Sequence, residues 1–108
     1  MLQDGVELQD AVLESVAFDV VAKHGEIRLQ FYRNSTDNFR VPARISFSDV
    51  QNFSMIGNVS ELEANAGPGN VSYWRQSDRD TAIYLVDGCV LVTAGRTDVS
   101  MCAISQEV

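Results

Sequence analysis

The chain is poor in the residues that most often carry out chemistry. Its 108 residues include one histidine, two cysteines and two prolines. His24 has no second histidine with which to bind a metal and no nucleophile beside it, so we expect a surface turn residue. Cys89 and Cys102 form no CxxC motif and lack the electropositive setting of a reactive thiol. The sequence therefore predicts no catalytic residue, no metal site and no cofactor.

Long apolar runs and positive charge are scarce as well. No stretch reaches the roughly 18 consecutive apolar residues that a membrane-spanning helix needs. Residues 1–15 carry acids and no base, unlike a secretory signal, so a cytoplasmic location is expected. Lysine and arginine number 8 against 15 acids, which gives a formal net charge of −7. Nucleic acids and anionic membranes are therefore not expected partners.

The size and composition indicate one domain over residues 1–108. Hydrophobic residues make up 45% of the chain, enough for a single core of ordinary size. Residues 1–12 are acidic with scattered apolar positions. They are expected to fray, to form a short helix or to add an edge strand.

The strongest local signal lies in residues 81–95, where two β-branched apolar runs flank Asp87-Gly88. This dipeptide predicts a two-residue hairpin turn that pairs Leu85 with Val90. Both faces of this hairpin are apolar, with Ile83 and Val90 on one face and Tyr84, Val86 and Leu91 on the other. An antiparallel hairpin in contact with water normally has one polar face. We therefore expect a second covering element or an interface.

Residues 13–33 predict a second hairpin, with His24-Gly25 as its turn. In that register Phe18 pairs with Phe31 and Val20 pairs with Leu29, so one face is uniformly apolar. Residues 40–48 alternate as a third strand, in which Pro42 marks a strand start or a sheet edge. Beyond Phe47 the spacing fits either a bulge or a helical turn capped by Asp49.

The last third of the chain predicts one helix and two further strands. Residues 60–67 form a short helix with Ser60 as N-cap and Gly67 at the left-handed C-terminal position. Residues 70–76 form a strand. A turn at Arg96-Thr97 would send residues 99–104 back along the hairpin. The prediction is a mainly β fold, with α+β as the alternative. It has about six antiparallel strands in hairpins and a meander, in a sandwich-like or half-barrel arrangement.

One surface is a candidate binding site. If the second and third strands are neighbours, their outward side chains form a basic, aromatic patch on an acidic protein. Arginine and tyrosine are common contact residues in protein interfaces. The alternative is that these arginines pair with the chain's own acids. Trp74 is added as a possible exposed anchor, so the candidate binding residues are Arg28, Tyr32, Arg40, Arg44 and Trp74.

For function, the sequence leaves three classes open. The first is a non-enzymatic protein–protein interaction module that binds an unidentified protein or a second copy of itself. Size and charge suit an immunity-like or adaptor-like protein, by analogy alone. The second is a small-ligand-binding domain, which an apolar pocket above about 300 Å³ would favour. The third is an enzyme with an unrecognised site, ranked last because no nucleophile–base pair is present.

Overall fold

Two three-stranded meanders make up a single sheet in the computed structural model, which describes residues 7–32 and 39–101. The strand order is β1-β2-β3-β6-β5-β4, and every neighbouring pair is antiparallel. The predicted mainly β class with six antiparallel strands and one short helix is confirmed for the described residues. The sheet is not closed into a barrel. The elements are β1 (Glu7–Asp19), β2 (His24–Tyr32), β3 (Val41–Gly57), α1 (Val59–Ala64), β4 (Val71–Ser77), β5 (Asp80–Leu85) and β6 (Gly88–Met101).

The core fills the inner side of the curled sheet. From Val41 to Phe47, β3 contributes every second residue to it, and the residues between these are half-buried. Leu62 is the buried residue of α1 and joins the same cluster, so the helix packs against the core. Full burial of side chains of this size contributes about 2 kcal/mol each. The largest are Phe31, Phe47, Ile27, Leu29, Ile45 and Ile83.

The hairpin of β5 and β6 has its turn one residue earlier than predicted. Leu85 pairs with Gly88, so the loop is Val86-Asp87. Tertiary contacts hold it there, because the Val86 amide donates to the Asn70 carbonyl (3.0 Å) and the Asn58 amide donates to the Asp87 carbonyl (3.3 Å). The changed pairing moves each partner by two positions, which keeps every side chain on its predicted face.

The first hairpin departs further from its predicted register. Asp19 pairs with His24, and residues 20–23 form the loop. Val20 and Val21 are therefore exposed at the tip, whereas the predicted register places Val20 on the apolar face. An irregularity between Leu13 and Ser15 changes which β1 side chains face inward, and sequence alternation gives no sign of it. Phe18 leaves the core and stacks on Phe53, with ring centroids 4.8 Å apart.

The predicted turn at Arg96-Thr97 is wrong. β6 continues through it as one strand and pairs with β3 from Gly57↔Gly88 to Ala43↔Met101. The 17-residue β3 offers β6 a partner along its whole length, so no reversal is needed. Of the predicted return strand at 99–104, residues 99–101 belong to β6, and residues 102–104 lie outside the described residues.

Two local alternatives are settled by the structure. β3 has a bulge, since its pairing with β6 shifts between Val50 and Asn52 and Asp49 has a φ of 54°. The helical turn capped by Asp49 does not form. α1 begins earlier than predicted, because the Asn58 side chain and not Ser60 accepts from the Glu61 amide (3.2 Å). Gly67 does not adopt the left-handed conformation, and Asn65 is the C-cap.

The two edge strands meet at a seam built by Asn70, which is 2% exposed. Its amide donates to the Ala11 carbonyl (3.1 Å) and its side-chain oxygen accepts from the Leu13 amide (2.7 Å). Its side-chain nitrogen donates to the Leu62 carbonyl (3.1 Å). One residue therefore links β1, α1 and the start of β4.

Candidate functional site

The predicted basic patch forms in part. β2 and β3 are neighbours, and Arg28 lies directly opposite Arg44. Glu26 sits between them, with its carboxylate 3.1 Å from Arg44 Nη1 and 4.0 Å from Arg28 Nη2. Arg44 therefore pairs with an acid of its own chain, which is the alternative that the sequence analysis considers. Arg28 stays exposed.

Arg40 is a structural residue rather than a free cation. Its guanidinium donates to the carbonyls of Asp10 (3.1 Å) and Gly67 (3.0 Å) and lies 5.0 Å from the ring centroid of Tyr32. These contacts tie β1 to the loop after α1. Three of the four patch residues, Tyr32, Arg40 and Arg44, therefore already contact other groups of the chain.

We expect Arg40→Ala to lower the free energy of unfolding by about 1 to 2 kcal/mol, because charge-assisted hydrogen bonds to two carbonyls are lost. Arg28→Ala is the matched control. Its side chain is more than half exposed and has one long ion pair, so its loss is expected to cost less than about 0.5 kcal/mol. Urea denaturation of both variants measures the difference. Equal effects would contradict the structural role of Arg40.

Trp74 is not brought to this patch. It lies on β4, far along the strand order from β2 and β3, and packs partly buried against the core. Its neighbour Tyr73 points outward instead and is 58% exposed. The sequence required one of these two aromatic residues to face inward, and the inward one is Trp74.

A different surface collects exposed apolar side chains on the outer side of β3, β6, β5 and β4. Pairing places Ile56 beside Cys89, Cys89 beside Tyr84, and Tyr84 beside Tyr73. A row across four strands is about 14 Å long. Leu91 lies on the same side, and Val86 is exposed in the adjoining β5–β6 loop. We call this set the outer apolar face: Ile56, Tyr73, Tyr84, Val86, Cys89 and Leu91.

Exposure distinguishes this face from the core side of the same strands. Ile56 is 71% exposed and Leu91 is 42% exposed. Val90, which lies between Cys89 and Leu91 on β6 and points to the core, is buried. The rings of Tyr73 and Tyr84 stack with centroids 6.0 Å apart, which fixes their orientation. The sequence predicts that the face with Tyr84, Val86 and Leu91 is covered by another element or forms an interface. Ile56 was missed because the undecided bulge left its direction open.

A depression of about 470 Å³ adjoins the outer apolar face. Tyr84 and Leu91 belong to its lining, together with Arg75, Asp80 and Thr81. The Thr81 hydroxyl is buried and has no hydrogen-bond partner among the described residues. Arg75 is exposed, and within the described part of the chain no ion pair engages it.

A cleft of about 340 Å³ opens between β1, the end of β3 and α1, and we call it the end cleft. Its lining is mainly apolar. Glu14 and Glu63 are the charged residues of that lining, which also includes Asn70. The apolar residues are Leu13, Val16, Met55, Val59, Leu62 and Ala66.

Across residues 7–32 and 39–101, no group of three or more His, Cys, Asp or Glu side chains is placed to hold a metal ion. The helix found in the same residues is too short and polar to cross a membrane. Comparison of the chain with protein-family models, curated proteins and solved structures finds no match.

Proposed function

We propose that this protein is a non-enzymatic interaction module whose outer apolar face binds another protein. The observation that carries the proposal is the row across four strands, in which Ile56 and Tyr73 are exposed and Cys89 and Tyr84 are half-buried. Large contiguous apolar patches are uncommon on monomeric proteins and often mark interaction sites. Tyrosine is favoured at such sites because its ring buries a large area with little loss of entropy.

The adjoining depression supports the same surface. Hot spots in protein interfaces are side chains that enter well-packed pockets on the partner. A protruding partner side chain would enter the depression and meet the Arg75 guanidinium and the Asp80 carboxylate. The rigid strands around it would need little rearrangement on binding.

Charge favours a basic partner over a second copy. At a net charge of −7, two copies repel each other, whereas a basic protein is attracted at long range. A cytoplasmic location belongs to this proposal. Cys89 is a free thiol, as expected in a reducing compartment.

The experiment is co-expression of the tagged chain with the products of the genes beside its own. We expect the chain alone to be a monomer at micromolar concentration and one basic neighbour to co-purify with it. The double variant Ile56→Thr/Tyr73→Thr should weaken that complex at least about tenfold, because exposed apolar contacts are removed while β propensity is kept. Isothermal titration calorimetry measures the loss.

The matched control is Val20→Thr/Val21→Thr. It removes the same kind of exposed apolar group from the β1–β2 loop, where Val21 is 94% exposed. Affinity should stay within about twofold of the unmodified chain, since surface changes outside a contact site have small effects. A stable homodimer, or equal losses in the two double variants, would count against the proposal.

A further inference from the structure

We propose that the end cleft binds a small amphiphilic cation, an apolar body that carries a protonated amine. This site is separate from the outer apolar face. Its lining comes from β1, β3 and α1, whereas the outer apolar face runs across β3, β6, β5 and β4. Its volume of about 340 Å³ falls in the range of small-molecule sites.

The apolar part of the cleft suits a hydrocarbon body. Leu13 and Leu62 are buried at its base, while Met55 and Val59 remain exposed at its sides. Methionine adapts to irregular apolar shapes because its side chain is flexible and polarisable. An apolar ligand would remove these exposed side chains from water, which is the driving force we invoke.

The charged groups of the lining determine the sign of the charge that a ligand should carry. Glu14 is held in place because its Oε2 accepts from Gln30 Nε2 (2.6 Å). Glu63 has no ion-pair partner among the described residues. The lining contains no lysine or arginine. An ammonium group at the mouth would therefore be attracted and a carboxylate repelled.

Asn70 contributes shape rather than a free polar group. Its side-chain oxygen and nitrogen are both bonded, to the Leu13 amide and the Leu62 carbonyl. These bonds hold the two apolar walls of β1 and α1 at a fixed separation. A preformed site of this kind loses little free energy to ordering when a ligand binds.

Three matched probes test the proposal: n-octylamine, n-octanol and n-octanoate at neutral pH. We expect octylamine to give saturable NMR shifts at the methyl groups of Leu13, Met55 and Leu62. Its Kd should be at least about threefold below that of octanol, with octanoate the weakest, because the two carboxylates act on the charged end. The outer apolar face should show no shifts.

Single variants locate the charge effect. Glu63→Gln and Glu14→Gln should each weaken octylamine binding about threefold and leave octanol unchanged. Glu61→Gln is the control, since Glu61 is on the same helix but outside the lining. Ala66→Leu should block all three probes by filling the cleft. Octanoate binding as tightly as octylamine, an equal effect of Glu61→Gln, or no saturable shift at the cleft would each overturn the proposal.

Discussion

Gly88→Ala is expected to lower the free energy of unfolding by at least about 3 kcal/mol and the melting temperature by about 15 °C. Gly88 has a φ of +146°, which side-chain-bearing residues rarely adopt. A Cβ there would lie 1.9 Å from the Ile56 carbonyl oxygen. The obstacle is backbone, so β3 or the β5–β6 turn would have to move.

The control for this variant is Gly67→Ala. A Cβ at Gly67 meets no atom within 4 Å, and the residue is exposed. Its stability should change by less than about 0.5 kcal/mol. Thermal unfolding followed by circular dichroism compares the two. If the two variants have the same melting temperature, β3 does not approach this turn as closely as the structure shows.

Asn70→Ala should cost about 3 kcal/mol of stability. The change leaves the Leu13 amide and the Leu62 carbonyl without their side-chain partners at a buried position. Each unsatisfied buried group costs about 1 to 3 kcal/mol, and the removed atoms leave a void. Urea unfolding measures the loss. Hydrogen exchange should also show that the Leu13 amide exchanges faster than the amides of β2.

Asn65→Ala is the matched control for the seam. Asn65 also donates a side-chain hydrogen bond, to the Glu61 carbonyl (2.8 Å), but that bond is exposed at the end of α1. Water replaces its partner, so the cost should stay below about 1 kcal/mol. Similar losses for the two variants would mean that Asn70 does not join the edge strands.

The predictable part of this fold is the sorting of side chains onto faces. Val41, Ala43, Ile45 and Phe47 alternate into the core as their pattern predicted, and so do Ile83, Val90 and Val92. Face assignment tolerates any even register shift, because side chains repeat every two residues along a strand. The predicted β5–β6 turn is one residue too late, yet the strand residues of that hairpin lie on the faces that were predicted for them.

What escaped prediction depends on contacts that are distant in sequence. The irregularity in β1 and the pairing of β6 with all of β3 have no local signal. Asn70 was assigned to a strand, while its four hydrogen bonds link separate elements. β2 and β3 are neighbours, as the basic patch requires, but Trp74 lies elsewhere. The contacts of Arg40 with distant carbonyls could not be predicted from residue spacing.

Cys89 provides the most direct test of the outer apolar face, since it lies in the middle of the row between Ile56 and Tyr84. In a Cys102→Ser background, the rate of maleimide alkylation at Cys89 is measured with and without the co-purified partner. We predict that the partner slows alkylation at least about tenfold, because a contact across the row excludes the reagent. An unchanged rate in a saturated complex would show that the partner binds elsewhere and would contradict the proposed function.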